Sequence, residues 1–148
     1  MATRRPSGKA LPALALVILG ASCVLLAEVP RLVDGYLALQ WTRHFAARND
    51  QEPRALDARP AGRWTARAVD GLAPLPQAWE AARLAMGFAR RLQVKDAAAA
   101  RALLAPVREA VERAEASWWR HFGAGELREE IWQLENSYGL DPDAGVVR

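Results

Sequence analysis

The sequence has few of the side chains that enzymes use for catalysis or metal binding. It has one cysteine, Cys23, and two histidines, His44 and His121, in 148 residues. No internal disulfide can form, and neither histidine has a second ligand at zinc-site spacing. Glycine-rich phosphate loops and the GxSxG and HExxH motifs are absent from the sequence. We therefore predict no enzymatic activity, no metal and no cofactor.

Carboxylates that could act as a pair occur near the C-terminus. Glu126 and Glu130 are four residues apart and would share one face of a helix, as acid–base catalysis requires. With Glu129, they are equally well explained as the solvated start of a helix, where the helix dipole favours negative charge. We adopt the second interpretation.

The chain also lacks a basic surplus outside its N-terminus. The formal net charge is +3, and Arg4, Arg5 and Lys9 account for it because the other 17 basic residues balance 17 acidic ones. A neutral remainder argues against nucleic-acid binding.

Charge is unevenly distributed within that neutral remainder. Residues 43–91 contain nine arginines and five acids, whereas residues 96–143 contain ten acids and five arginines. We favour the interpretation that the two segments fold against each other and neutralise. The alternative is a basic, membrane-proximal segment near anionic headgroups and an acidic distal face.

The strongest positive signal is the apolar run from Leu11 to Val29. As a helix it would reach about 28 Å, close to the roughly 30 Å of a bilayer's hydrocarbon core. We predict a retained transmembrane helix, because the run continues beyond Gly20-Ala21-Ser22, the best site for signal-peptide cleavage. A cleaved signal peptide and a buried core helix are the alternatives. A lipoprotein is excluded because Gly20 replaces the branched residue expected before Cys23.

The basic residues before this run predict its orientation. Residues 1–10 form a short positive tail, which favours a cytoplasmic N-terminus and a C-terminal domain outside. The arginine- and alanine-rich composition favours a bacterial inner membrane with a periplasmic domain. The small residues Gly20, Ala21 and Ser22 are candidates for close packing against another membrane helix.

Hydrophobic spacing predicts an all-α fold, with the transmembrane helix followed by a small bundle or hairpin array of about four helices. Pro30 should end or kink the first helix, so residues 30–48 either lie on the membrane or continue the helix into the domain, which we slightly favour. The other boundaries follow from proline, glycine and apolar spacing. They are a linker at 49–62, helices Trp64–Leu72, Pro76–Val94, Ala97–Arg120 (broken or kinked at Pro106) and Glu126–Tyr138 in a domain over 63–140, and a tail at 141–148.

Six tryptophans are many for this length, and two of them stand in the run Trp118-Trp119-Arg120-His121-Phe122. Aromatic and cationic side chains together are typical of binding surfaces. We name Trp119, Arg120 and Phe122 as candidate partner-binding residues, with saccharide stacking as a weaker alternative. The favoured structural interpretation places Trp118 in the core and leaves Trp119 partly exposed.

The stretch Trp64–Trp118 resembles a degenerate tetratricopeptide array. A helix ends in Ala68-Val69-Asp70-Gly71-Leu72-Ala73-Pro74, Trp79 opens the next with Leu84-Ala85, and Ala97-Ala98 opens its partner. The family's Gly-Tyr pair is absent. The resemblance implies a protein-binding surface without catalytic residues, and the architecture also resembles accessory proteins of bacterial surface-polysaccharide systems.

These observations together predict a membrane-anchored helical adaptor or scaffold that binds a protein partner, itself membrane-associated, outside the cytoplasm. The alternative is a small accessory subunit of a larger membrane complex, which it contacts mainly through its transmembrane helix.

Overall fold

The structure, a computed structural model, describes residues 10–117 and 119–137. These residues form five helices and no strand, so the predicted all-α class is confirmed. A long apolar N-terminal helix is followed by four shorter ones, in agreement with the expected small bundle. The helices are α1 (Ala10–Arg48), α2 (Ala55–Leu72), α3 (Pro76–Gln93), α4 (Ala97–Ala116) and α5 (Ala124–Ser137).

Helix α1 is continuous over 39 residues and contains Pro30, so it extends about 58 Å. Of the two interpretations of residues 30–48, the continuous helix is therefore the one observed. The helix is long and apolar enough to cross a membrane, with a mean hydropathy of 2.0 in its apolar window. None of that window is buried in the protein, which argues against a core helix.

The predicted linker at residues 49–62 is wrong from residue 55 onward, where the chain is helical. Helix α2 begins at Ala55 rather than Trp64, and it includes Pro60 and Gly62. Pro60 removes one helical hydrogen bond near the exposed start of the helix. Gly62 lies in a helix crossing, where an added Cβ would be 2.4 Å from the carbonyl oxygen of Leu103. Packing of α2 on α4 therefore outweighs the local signals for a loop.

The other helices agree closely with their predicted bounds. Asp96 caps α4, with its side chain accepting a hydrogen bond of 2.8 Å from the Ala99 amide. The predicted break at Pro106 does not occur, because α4 runs through it, but α4 ends at Ala116 instead of Arg120. Helix α5 starts at Ala124, two residues before its predicted start, and its Leu127–Ile131–Leu134 stripe is buried. Trp118 and Tyr138 lie outside the described residues.

Successive helices alternate in direction. Gly35 on α1 meets Gly71 on α2, while Thr42 meets Thr65 farther along, so these two helices are antiparallel. Pairs of contacts at two levels give the remaining directions: Arg43–Glu80 with Asp50–Arg91 for α3, Gly62–Leu103 with Asp70–Arg113 for α4, and Glu115–Arg128 with Arg108–Glu135 for α5. The end of the bundle nearest the apolar run, here called the anchor end, therefore contains the last turns of α2 and α4 and the first turns of α3 and α5.

Leucine, valine and alanine fill the space between the helices. Among the fully buried side chains are Phe88, Leu39, Leu72, Leu92, Leu103, Leu104, Leu127 and Ile131. On α3 the stripe Trp79, Ala82, Met86 and Ala89 is buried, and α3 contacts α1, α2, α4 and α5. Packing on several sides explains why its apolar arc is so wide.

Candidate functional site

Titratable side chains in the described ranges are spread over the bundle. His44 meets Trp41 edge-on at 5.8 Å, while His121 stacks on Phe122 at 4.6 Å in the loop before α5. On α5, Glu126 is exposed and Glu130 is half-buried. Within residues 10–117 and 119–137, no group of three or more His, Cys, Asp or Glu side chains could hold a metal ion. The candidate sites there are surfaces.

Arg31 ties α1 to the anchor end of the bundle. Its Nε donates to the carbonyl oxygen of Asp70 at 3.0 Å, and Nη2 donates to that of Ala73 at 2.6 Å. Nη1 pairs with Glu28 on the preceding turn. Partial burial, and then the nearby Arg120 guanidinium, lower the pKa of Arg31 from its ordinary value. Arg31 thus has bonded partners on all three nitrogens, and it links α1 to the end of α2.

The three candidate partner-binding residues lie in the loop between α4 and α5, here called the anchor-end cluster: Trp119, Arg120 and Phe122. The Trp119 ring has two guanidinium neighbours, with Cζ of Arg120 at 4.5 Å and Cζ of Arg31 at 5.1 Å from its centroid. Trp119 is half-buried, in line with the expectation of partial exposure, and Phe122 is 64% exposed.

Arg120 forms no ion pair with the residues that the structure describes. Its Nε is buried and has no hydrogen-bond partner there. A buried donor without a partner costs about 1–3 kcal/mol, so within the described residues the loop holds a cation whose Nε donor is not used.

One side of α1 stays apolar well beyond the predicted membrane segment. Val29, Val33, Tyr36, Leu37 and Trp41, here called the outer face of α1, are 43–63% exposed. They recur every three or four residues, with Tyr36 and Leu37 side by side. This side of α1 is opposite Gly35, Ala38 and Leu39, which pack into the bundle. The helix therefore buries one side and presents a second apolar side, which within the described residues is covered in part by Trp64 stacking on Trp41.

The small residues of the membrane segment do not share a single side of α1. Successive residues are rotated by about 100° around a helix, so Gly20, Ala21 and Ser22 cover a wide arc. Ser22 lies seven residues before Val29, on the side of the outer face. Gly20 is exposed and has no atom within 4 Å of an added Cβ. Their packing against another helix stays a prediction.

A row of arginines borders the outer face. Arg59, Arg63 and Arg67, here called the arginine row, recur every four residues on α2 and, with Pro60 and Trp64, line an open cavity of about 460 Å³. Trp64 stacks on Trp41 with ring centroids 5.7 Å apart, so the row adjoins α1.

The members of the arginine row differ in their partners. Arg67 is hydrogen-bonded to Asp34, which raises the pKa of Arg67 and lowers that of Asp34. Arg59 and Arg63 form no ion pair with a described residue.

Charges of the two segments are paired mainly within each segment. Arg43–Glu80 and Arg91–Asp50 lie within the first, and Arg128–Glu115 lies within the second. The ion pair that joins described residues of the two segments, Arg113–Asp70 at 2.7 Å, takes its arginine from the acidic one. The two segments do pack against each other, since α2 and α3 both contact α4. Arg113–Asp70 joins their charges, whereas several arginines of the first segment have no acidic partner among the described residues.

The outer face and the arginine row were not identified from the sequence. The four-residue spacing of Val29, Val33, Leu37 and Trp41 is visible in the sequence. It does not by itself show which side of a long helix is buried. The spacing of the arginine row was hidden by the assignment of residues 49–62 to a linker, which separates Arg59 from Arg63.

Comparison with known proteins identifies no relative. No protein-family model matches the chain, and no curated protein or solved structure matches it either. The resemblance of Trp64–Trp118 to a tetratricopeptide array therefore stays a prediction. The features of the described chain that bear on function are the outer face, the arginine row and the anchor-end cluster.

Proposed function

We propose that this protein is a single-pass, membrane-anchored helical adaptor that binds a protein partner along the outer face of α1. The observation that carries this proposal is the exposure of Val33, Leu37 and Trp41 on a helix whose other side is packed into the bundle. An apolar surface of this kind on a folded domain, with the exposed Gln40 between Leu37 and Trp41, is typical of an interaction site.

The position and charge of this surface define the partner's chemistry. Ser22 and Leu26 lie on the same side of α1 as Val29 and Val33, so the apolar side continues into the predicted membrane segment. A partner that follows it is a membrane protein with a helix alongside α1. Arg59 and Arg63 lie beside the far part of this face, at or beyond the level of the Thr42–Thr65 contact, and favour acidic side chains on the part of the partner that lies outside the membrane.

The proposal includes that α1 crosses a membrane and that the bundle lies on its non-cytoplasmic side. The apolar helix is long enough to span, and the basic tail at residues 1–10 favours a cytoplasmic N-terminus with the bundle outside. The arginine- and alanine-rich composition favours a bacterial source, in which the membrane would be the inner membrane and the bundle periplasmic. A role in a surface-polysaccharide system rests on architectural resemblance alone.

A second candidate function is a small accessory subunit that contacts its complex mainly through the transmembrane helix. The specific observation in its favour is that Ser22, a small residue, lies on the side of the outer face. Both candidates use the same side of α1 and differ in which half of the helix supplies most of the binding energy.

Site-specific photocrosslinking in native membranes tests the proposal. A photoreactive residue at Leu37 should crosslink to an integral membrane protein, at a site next to one of its membrane helices. Val33→Asp should abolish that crosslink. Val94→Asp is the matched control, because Val94 is 88% exposed and follows α3 at the end of the bundle opposite the anchor end. This variant should leave the crosslink intact.

Other outcomes would contradict one or both candidates. If Leu37 crosslinks only to a second copy of the chain, or to nothing, the adaptor proposal fails. If replacement of residues 11–27 by an unrelated membrane helix removes the crosslink, the accessory-subunit function is favoured. If the crosslink survives that replacement, the extramembrane part of the outer face is sufficient.

A further inference from the structure

The loop that holds the anchor-end cluster lies at the level where α1 leaves its apolar run. Trp119 contacts Arg31, which is two residues beyond Val29, a rise of about 3 Å along the helix. On its other side the loop meets α3: an added Cβ on Gly123, whose φ is 80°, would be 3.2 Å from Nε1 of Trp79. Both contacts place the loop at the anchor end.

This height corresponds to the headgroup layer if Leu11–Val29 spans the hydrocarbon. The polar layers add about 5–8 Å on each side of a roughly 30 Å core, so a side chain beside Arg31 lies inside that layer. Trp41, by comparison, is about 18 Å beyond Val29 along α1, which is outside it. The two aromatic surfaces of this protein are therefore at different distances from the membrane.

We propose that the anchor-end cluster binds the phospholipid headgroup layer of the membrane that α1 spans. Arg120 donates hydrogen bonds to a lipid phosphate, while Phe122 and the exposed part of Trp119 enter the boundary between headgroups and acyl chains. This inference rests on the membrane anchor of the proposed function, and it is independent of the protein partner.

The chemistry of the cluster supports this occupant. Arg31 is already bonded to Asp70, Ala73 and Glu28. Arg120 has no ion pair with a described residue, and because its Nε is buried, its two Nη groups are the donors for a phosphate. Arginine matches phosphate oxygens geometrically. Tryptophan is enriched at membrane–water interfaces, and phenylalanine on the apolar side is typical of segments that bind there.

Charge at the anchor end indicates which lipid is needed. Glu126, exposed in the first turn of α5, and Glu28 and Asp70 offset much of the positive charge of the arginines there. Long-range attraction to anionic lipid is therefore small, and the contact depends on the phosphate group that every phospholipid carries. We expect binding to bilayers of phosphatidylcholine alone.

Spin-label depth measurements on the full chain test this inference. In a Cys23→Ser background, a nitroxide is placed at His121→Cys, which is exposed, and in a second protein at Leu56→Cys. Leu56 is 88% exposed at the opposite end of the bundle and is the matched control. In phosphatidylcholine vesicles, relaxation by oxygen and by a water-soluble nickel complex should place label 121 in the headgroup layer and label 56 in water.

Two substitutions establish which side chains hold the loop there. Arg120→Gln with Phe122→Ser should move label 121 toward the aqueous value. Phe122→Ser alone changes an exposed side chain and should give part of that shift with an unchanged far-UV circular dichroism spectrum. A depth that does not respond to either variant overturns the inference.

The remaining outcomes separate this inference from the anchor itself. If label 121 is as aqueous as label 56 while the protein resists carbonate extraction, the anchor stands and the headgroup contact is wrong. The cluster is then free for a protein partner, as first predicted. If carbonate extracts the protein, the anchor and the headgroup contact both fail.

Discussion

Gly71→Ala is expected to destabilise the bundle, although alanine is the better helix former. Gly71 lies where α1 and α2 cross at the anchor end. A Cβ at this position would be 2.5 Å from Cα of Gly35 and 2.9 Å from the carbonyl oxygen of Arg31. Both neighbours are backbone atoms, so no side chain can rotate away, and α1 itself has to shift.

The size of the effect follows from the required displacement. Ordinary contact with a Cβ begins near 3.4 Å, so the backbones must separate by about 0.9 Å. Overpacking of this kind costs about 1–3 kcal/mol, and alanine returns about 0.5–1 kcal/mol through helix propensity. We expect a net loss of about 1–2 kcal/mol, or a fall in Tm of about 4–8 °C for a domain of this size.

Gly87→Ala is the matched control for this measurement. Gly87 is also inside a helix, but the nearest atom to its added Cβ is the flexible Nη1 of Arg91 at 3.8 Å. This variant should therefore gain about 0.5–1 kcal/mol. Thermal unfolding in mild detergent, followed by circular dichroism, compares both with the wild type. A Gly71→Ala protein as stable as Gly87→Ala would refute the close crossing of α1 and α2.

Two further predictions concern polar groups of the bundle. Asn49→Ala should lower the free energy of unfolding by about 1–3 kcal/mol. The fully buried Asn49 side chain donates to Asp57 at 3.0 Å and accepts from the Arg54 amide at 2.7 Å. Denaturant unfolding measures this loss, and an equal loss in the exposed control Asn136→Ala would contradict the prediction. Hydrogen bonding from Arg67 lowers the pKa of Asp34 below 3.8, so this pair stabilises the protein above that pH and its contribution is lost as the pH falls through the lowered value. Asp34→Asn should lower stability at neutral pH and reduce the loss on acidification, and unfolding midpoints that show the same pH dependence as the wild type would refute the role of the pair.

Much of the helical framework could be predicted from the sequence because its signals are local. Asp96 caps α4 through its own side chain, Pro76 opens α3 at a permitted position, and Leu127, Ile131 and Leu134 repeat at helical spacing. Each of these signals depends on residues within one or two turns. The same holds for the apolar run of α1, whose length and lack of charge are properties of consecutive residues.

The start of α2 could not be predicted in this way. Pro53, Pro60 and Gly62 together are typical of a loop, but helix α2 forms because Ala58, Ala61 and Gly62 are buried in the bundle. Gly62 allows the carbonyl oxygen of Leu103 to approach closely, which is a contact across 41 positions of the chain. No local pattern contains that information.

The candidate sites also combine features that are local in the sequence with features that depend on tertiary packing. The sequence by itself determined that the protein is helical, that it has one apolar helix long enough to span a membrane, and that Trp119, Arg120 and Phe122 are near each other in one loop. Only the tertiary structure decided that this loop contacts Arg31 at the anchor end, and that one side of α1 is covered while the other is left apolar and exposed. The reason is physical: spacing along a helix defines its faces, whereas burial of a face depends on which distant helices pack against it.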